Sequence, residues 1–273
     1  MKILIIGAGK MGEAILKAWL LKKFSFKINI SVSEVNTRRR GIIKNRYSQL
    51  SIHKDIPISW KGDLVLIAVK PQTFNNMAES FHSKKIDTKI VLSIMAGISL
   101  DKLKKLVCLE TTYVRAMPNL ASSKGKGVTG VYSNKIGNLN NKNKVQILLE
   151  ALGSVFWLKN ELQFDPLTAI SGSGPAYFFL IFLILKNTAK SFGFTDRIAS
   201  DLILNTAEGA VEIFKENSNL EKLIEDVASP GGTTEAALEV LMKNKPNLIS
   251  ILNKAILTAN KRSKKLGKNA KRL

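Results

Sequence analysis

Cysteine, histidine and acidic side chains are what this 273-residue chain is short of: one Cys, two His, and 21 Asp and Glu against 42 Lys and Arg. Cys108 alone excludes an intrachain disulfide and a cysteine metal cluster, which fits a reducing, cytoplasmic setting. It lies in an apolar stretch and reads as buried rather than reactive. His53 and His82 stand apart from any Cys, Asp or Glu cluster, and no HExxH spacing occurs, so no metal site is expected. The start of the chain has no charged segment leading into an apolar run and a small-residue cleavage site. The most hydrophobic stretch, residues 175–185, is about 11 residues long against the roughly 20 that cross a bilayer, so it reads as a buried helix and no membrane partner is expected. The acid deficit leaves a net charge of +21. A basic balance points in principle to nucleic acid. Here the lysines are spread along the whole chain, without a zinc-finger, basic-zipper or RNP-type pattern, so they read as solvated surface and no nucleic-acid partner is expected.

What is present is an alternation of short apolar strands and helical patterns. Strand patterns fall at 2–6, 28–32, 64–69, 90–94, 112–116, 128–132 and 154–158. Helical spacing follows at 13–21, from Ser99 as a cap, and at 145–152, with 134–144 as a polar surface connection. Such alternation predicts an α/β fold, a Rossmann-like, doubly wound and mostly parallel sheet. After about Asp165 the strand patterns stop, and helical patterns take over at 175–191, 196–217, 220–228, 233–243 and 247–265. The expected division is therefore a dinucleotide-binding domain over 1–162 and an all-helical domain over 163–273. The basic tail from Lys261 reads as frayed.

The first strand runs directly into Gly7-Ala8-Gly9-Lys10-Met11-Gly12. In a strand–turn–helix setting this GxGxxG spacing has a mechanism. Gly7 permits the tight turn, Gly9 lets the backbone approach a diphosphate, and Gly12 lets helix and strand pack closely. The helix then offers its unbonded N–H groups to the phosphates. Without that setting, the same glycines would be only a structural turn. The second strand ends at Ser33-Glu34, and an acid there accepts hydrogen bonds from the adenosine ribose and disfavours a 2′-phosphate. Ser33, Asn36, Arg38, Arg39 and Arg40 argue the other way, as groups that hold such a phosphate. The choice between NADPH and NADH stays open, leaning to NADPH. Lys70-Pro71 and Ala96-Gly97 close later strands, at the carboxyl ends where such sheets bind ligands.

Two glycine-rich turns lie further on, Ser171-Gly172-Ser173-Gly174-Pro175 and Ser229-Pro230-Gly231-Gly232-Thr233-Thr234. Each brings hydroxyls and backbone N–H groups to a helix N-terminus, which suits a small carboxylate. Taken only as structure, they are helix breakers and caps.

These blocks together resemble the pyrroline-5-carboxylate reductase family over nearly the whole length. The resemblance is carried by Gly7-Ala8-Gly9-Lys10-Met11-Gly12-Glu13, Asp63-Leu64-Val65-Leu66-Ile67-Ala68-Val69-Lys70-Pro71, Ser93-Ile94-Met95-Ala96-Gly97 and Arg115-Ala116-Met117-Pro118-Asn119. Ala169-Ile170-Ser171-Gly172-Ser173-Gly174-Pro175, Ser229-Pro230-Gly231-Gly232-Thr233-Thr234 and Arg262-Ser263-x-x-Leu266-Gly267 complete it. The resemblance implies reduction of L-1-pyrroline-5-carboxylate at its C=N bond to L-proline by NAD(P)H, the last step of proline biosynthesis. It places the cofactor on Ile6, Gly7, Ala8, Gly9, Lys10, Met11, Gly12 and Ser33, on Ala68, Val69, Lys70 and Pro71, and on Met95, Ala96 and Gly97. It makes Ser229, Gly231, Gly232, Thr233 and Ser171 substrate-binding, with the N–H groups of Gly231 and Gly232 for the carboxylate and the Thr234 hydroxyl beside the imine nitrogen. It also implies a homodimer or decamer of dimers, with the substrate site built where helical domains of two subunits interlock.

The chain departs from the family pattern at Leu120-Ala121, where a hydroxyl and a proline are lost, and at 215–219, where only Glu216 remains of the usual Glu, His and Pro. The competing enzyme class is another two-domain NAD(P)-dependent imine or β-hydroxyacid reductase. It calls for a catalytic lysine or a Lys–Asn arrangement one turn apart, whereas Lys186-Asn187 are adjacent. A non-enzymatic NAD(P)H-binding regulator or nucleic-acid-associated protein rests on the charge alone.

Overall fold

The computed structural model of the chain describes residues 1–134, 139–243 and 245–272. They form two compact units, Met1–Gly172 with Ala259–Leu273, and Ser173–Thr258.

The first unit is built on an eight-stranded sheet: β1 (Lys2–Ile6), β2 (Asn29–Ser33), β3 (Ser51–His53), β4 (Ser59–Ile67), β5 (Lys85–Ser93), β6 (Thr112–Pro118), β7 (Gly127–Tyr132) and β8 (Gly153–Trp157). The order across the sheet is β3-β2-β1-β4-β5-β6-β7-β8. Every neighbouring pair is parallel except β6 and β7. The central strand β1 and the second halves of β4 and β5 are apolar runs because both of their faces are buried. Ile3 and Ile5 of β1, with Leu64 and Leu66 of β4, belong to one core; Leu4 and Ile6, with Val65 and Ile67, belong to the other. The first core is closed by α1 (Lys10–Leu21), α2 (Thr37–Arg46) and α5 (Leu139–Glu150) through Ile15, Leu16, Trp19, Ile43, Leu148 and Leu149. The second is closed by α3 (Phe74–His82) and α4 (Leu100–Val107). Ser99 caps α4, as expected, by accepting the Lys102 N–H at 3.3 Å.

Several elements differ from the sequence reading. The pattern gave no helix over 74–82, yet Phe74, Met77, Ala78 and Phe81 recur at helical spacing and are all buried. The three-residue edge strand β3 is too short to show alternation. Strand β6 runs two residues past the expected 112–116 and ends at Pro118, which pairs with Thr129. Cys108 is exposed, not buried: the chain turns there into the left-handed region at φ 52° as α4 ends. Of the connection expected at 134–144, residues 135–138 lie outside those described, and α5 begins at Leu139.

The sheet is followed by α6 (Phe164–Leu167) and a wide π-type turn over Thr168–Gly172. Arg115 of β6 binds Glu161 at 2.8 Å and lies over the Phe164 ring, which fixes the chain as it leaves the sheet. The second unit contains α7 (Gly174–Ser191), α8 (Asp196–Glu216), α9 (Leu220–Val227), α10 (Thr233–Lys243) and the start of α11 (Leu248–Arg272). Helix α7 is not buried, contrary to the reading of 175–185. Phe178 and Phe179 are 63% and 56% exposed, and Leu180, Leu183 and Ile184 also face outward. Together with the preceding turns, Glu161–Ser191 is long and apolar enough to cross a membrane by length and composition. The tail from Lys261 is not frayed either. It continues α11 as far as Arg272, held by the Ser263 hydroxyl on Asp165 at 2.6 Å and by Gly267 against Gly97.

Candidate active site

Adjacent parallel strands end together, so β2, β1, β4 and β5 bring the 33–36 turn, the glycine turn, Ala68-Val69-Lys70 and Met95-Ala96-Gly97 to one edge of the sheet. At that edge lies a cleft of about 980 Å³. Ile6, Gly7, Gly9, Ser33, Ala68, Val69 and Lys70, all expected to touch a cofactor, line it.

The three glycines are there for different reasons. Gly7 adopts φ +92°, and its N–H donates to the Ser33 carbonyl at 2.8 Å, tying the turn to β2. At Gly12 a β-carbon would stand 2.3 Å from the Gly7 carbonyl oxygen, so α1 packs on the turn only if that position is bare. Around Gly9 a β-carbon would meet nothing within 4 Å. Protein packing therefore does not require a glycine at this position, which leaves the backbone open to the cleft that Gly9 lines. Lys10 and Met11 open α1, whose first N–H groups have no acceptor within the helix. This cradle, with the free helix end, fits the diphosphate of a dinucleotide.

The remaining expected cofactor residues are placed as follows. Ala8 is fully buried beneath the turn and does not line the cleft. Pro71 starts a 3-10 turn over Pro71–Thr73. Met95 is buried, its N–H on the Ser93 hydroxyl at 3.3 Å, while Gly97 takes φ +75°.

The charged groups near the second strand sort themselves. Glu34 is buried, and backbone N–H groups occupy both of its oxygens: Ala8 donates to Oε2 at 2.7 Å and Asn36 to Oε1 at 2.8 Å. Glu34 also lines the cleft, and each oxygen keeps a second acceptor site beside the N–H it already takes. Arg39 reaches Glu13 and the Ala8 carbonyl, and Arg40 reaches the carbonyls of Glu34 and Val35. Arg38 lines the cleft and makes no hydrogen bond or ion pair among the described residues. Sequence reasoning missed the far wall, formed by Thr73, Asn76, Met77 and Ser80. The apolar spacing of α3, which leaves Asn76 and Ser80 on the other side, was the signal available.

Ser171 is held by Asn119, whose amide donates to its carbonyl at 3.1 Å and its hydroxyl at 3.2 Å. Asn119 is itself buried and accepts the Val128 N–H at 3.1 Å. In the helical unit, residues 229–232 turn into α10, which begins at Thr233. The two N–H groups assigned to a substrate carboxylate have internal partners: Gly231 donates to Glu235 Oε2 at 2.7 Å and Gly232 to the Ser229 carbonyl at 2.9 Å. The hydroxyls of Thr233 and Thr234, in the first turn of α10, make no hydrogen bond among the described residues. Among those residues no group of three or more His, Cys, Asp and Glu is placed to hold a metal ion.

Two family models match separate parts of the chain. Residues 2–97 match the family model "NADP oxidoreductase coenzyme F420-dependent", and residues 161–266 match "Pyrroline-5-carboxylate reductase dimerisation". A pyrroline-5-carboxylate reductase of Haemophilus influenzae is 34% identical over 87% of this chain and 88% of its own length. The chain belongs to the pyrroline-5-carboxylate reductase family. The solved reductase from Coxiella burnetii superposes with a TM-score of 0.83 at 31% identity, covering 97% of each chain. The Plasmodium falciparum enzyme, solved with NADP bound, gives 0.75 at 27% identity, covering 98% of this chain and 100% of its own. As a member of this family the chain is an NAD(P)-dependent oxidoreductase, and its dimerisation domain implies that it oligomerises.

Proposed function

We propose that this chain reduces L-1-pyrroline-5-carboxylate to L-proline, the last step of proline biosynthesis, with NADPH as the preferred cofactor and in the cytoplasm. The observation that carries the cofactor half is the open space at Gly9, beside the free N-terminus of α1 and within the cleft at the sheet edge. Gly7, Gly9, Lys10 and Met11 would hold the diphosphate, Ser33 and Arg38 the adenosine end, and Ala68, Val69, Lys70 and Pro71 with Met95, Ala96 and Gly97 the remainder. The preference for NADPH rests on Arg38, a cation at the cleft whose side chain has no partner among the described residues, and the enzyme of Plasmodium falciparum was solved with NADP.

When bound, the reduced nicotinamide supplies the hydride. The chain's part is to hold the imine in its protonated form and in the right orientation. Residues 1–162 serve the cofactor, and residues 163–273 bind substrate and dimerise. Thr234 is the hydroxyl assigned to the imine nitrogen. A hydroxyl has the wrong pKa to be an effective acid unaided, so it orients the nitrogen, and much of the rate gain comes from fixing the reactants together. For the carboxylate, the first turn of α10 offers the Thr233 and Thr234 groups and the helix end, with Ser229 as a further hydroxyl. The N–H groups of Gly231 and Gly232 serve there only if substrate displaces Glu235 and the Ser229 carbonyl.

The exposed apolar side chains of α7 and α8 are the surface that a second copy covers, giving at least a homodimer. A dimer supplies the burial that a single chain does not, so the apolar length of Glu161–Ser191 needs no bilayer. Initial-rate oxidation of NADPH and NADH in the presence of pyrroline-5-carboxylate tests the proposal; absence of turnover with both overturns it.

A further inference from the structure

The peptide groups of Ala8, in the middle of the glycine turn, are gripped on both sides by the turn that leads from β2 into α2. The Ala8 N–H donates to Glu34 Oε2 at 2.7 Å, and its carbonyl accepts Arg39 Nε at 2.5 Å. Neither clamp residue is loose. Glu34 is 8% exposed and accepts the Asn36 N–H through its other oxygen. Arg39 is also paired with Glu13 of α1, and Arg46 takes the second oxygen of Glu13. That pairing matters for an anion site. An acid in the first turn favours the helix but opposes an incoming diphosphate, and two guanidinium groups offset it here.

The acid after the second strand and the neighbouring arginines are the side chains from which a preference for NADH or NADPH would ordinarily be read. In this chain Glu34 and Arg39 both line the cleft, and both are bonded to the backbone of the phosphate-binding turn. We propose that Glu34 and Arg39 are positioning residues that hold the Ala8 peptide groups and so set the shape of the diphosphate cradle, and that Glu34 does not discriminate between the two cofactors. The clamp withdraws the Ala8 N–H from the ligand and leaves the first N–H groups of α1 as its donors. Discrimination then falls to Arg38, which the clamp leaves uncommitted. This inference rests on the reading of the cleft as the NAD(P)H site.

Binding of ADP-ribose and of 2′-phospho-ADP-ribose, measured by calorimetry on the full-length protein, tests it without any need for turnover. Glu34→Gln and Arg39→Ala are each expected to weaken both ligands by the same factor, about tenfold, as loss of a charge-assisted hydrogen bond on the turn would do. The ratio of the two affinities should stay at its wild-type value. Glu34→Gln weakening ADP-ribose while tightening the phosphorylated ligand would make Glu34 a ribose reader and overturn the proposal. Wild-type affinity in both variants would overturn it as well, by showing that the clamp does nothing. Arg39→Ala, at a partly exposed side chain, decides the matter if Glu34→Gln does not fold. If the wild-type protein binds neither ligand, the reading of the cleft fails and takes the clamp with it.

Discussion

Arg115 donates to Glu161 at 2.8 Å, and the same carboxylate oxygen accepts the Leu100 N–H at 2.9 Å. One acid thus ties β6 and the start of α4 to the segment that leaves the sheet. Arg115 is 8% exposed, so removing its partner strands a cation that, among the described residues, is otherwise supported by the Phe164 ring at 4.2 Å. Glu161→Ala should cost about 2 kcal/mol of stability, below the scale of a fully buried pair because the Glu161 side chain is 23% exposed. Glu161→Gln keeps an acceptor for Leu100 and should cost about half of that. Urea denaturation of both variants checks the order.

The glycine turn makes a contrast that one pair of substitutions reads. Gly12→Ala puts a β-carbon 2.3 Å from the Gly7 oxygen and should lower stability by roughly 3 kcal/mol or more. Gly9→Ala meets no protein atom within 4 Å. Its melting temperature should stay within about 2 °C of wild type, while the KM for either cofactor rises about tenfold or more. Thermal melts and initial rates on the two variants separate the roles.

Arg38 predicts a one-sided effect. Arg38→Ala should raise the KM for NADPH by about tenfold and leave that for NADH near wild type, because only the 2′-phosphate needs the charge. Equal changes for both cofactors would remove Arg38 from the 2′-position.

Much of this architecture is legible before folding, and the exceptions share a cause. The first strand, the turn and α1 are local: a β-branched run, spaced glycines and a helical stripe fall within 21 residues. The helices α7 to α10 are readable for the same reason. Helix α3 was readable too, since Phe74, Met77, Ala78 and Phe81 carry its period, but Lys70-Pro71 drew the reading toward a strand end. Other features depend on neighbours that hydropathy does not name. Glu34 is committed to Ala8, 26 residues away, and Ser171 to Asn119, 52 away. The apolar run 175–185 requires burial, but hydropathy does not say whether the cover comes from its own chain or from a second copy. The pairing of Gly231 with Glu235 spans four residues and was available as a local capping pattern.

Asp63 gives a prediction in pH. The Lys89 ammonium at 2.7 Å, helped by the Lys2 N–H, holds its carboxyl below the usual Asp value, against a smaller opposing effect of burial. A folded-state pKa below the unfolded one adds stability above the unfolded value of about 3.9, and that contribution disappears as pH falls through the folded value. Asp63→Asn should therefore cost about 1 kcal/mol at neutral pH, and the difference from wild type should shrink steadily below about pH 4. Paired urea titrations at neutral pH and near pH 3 follow it.

The most direct test of the account is the fate of the hydride. Purified protein would be given pyrroline-5-carboxylate and NADPH deuterated at the transferring position, and the product analysed by mass spectrometry and NMR. The account predicts L-proline carrying one deuterium at C5, formed in equal amount to the NADPH consumed. NADPH oxidation without proline, or proline without the label, would contradict it.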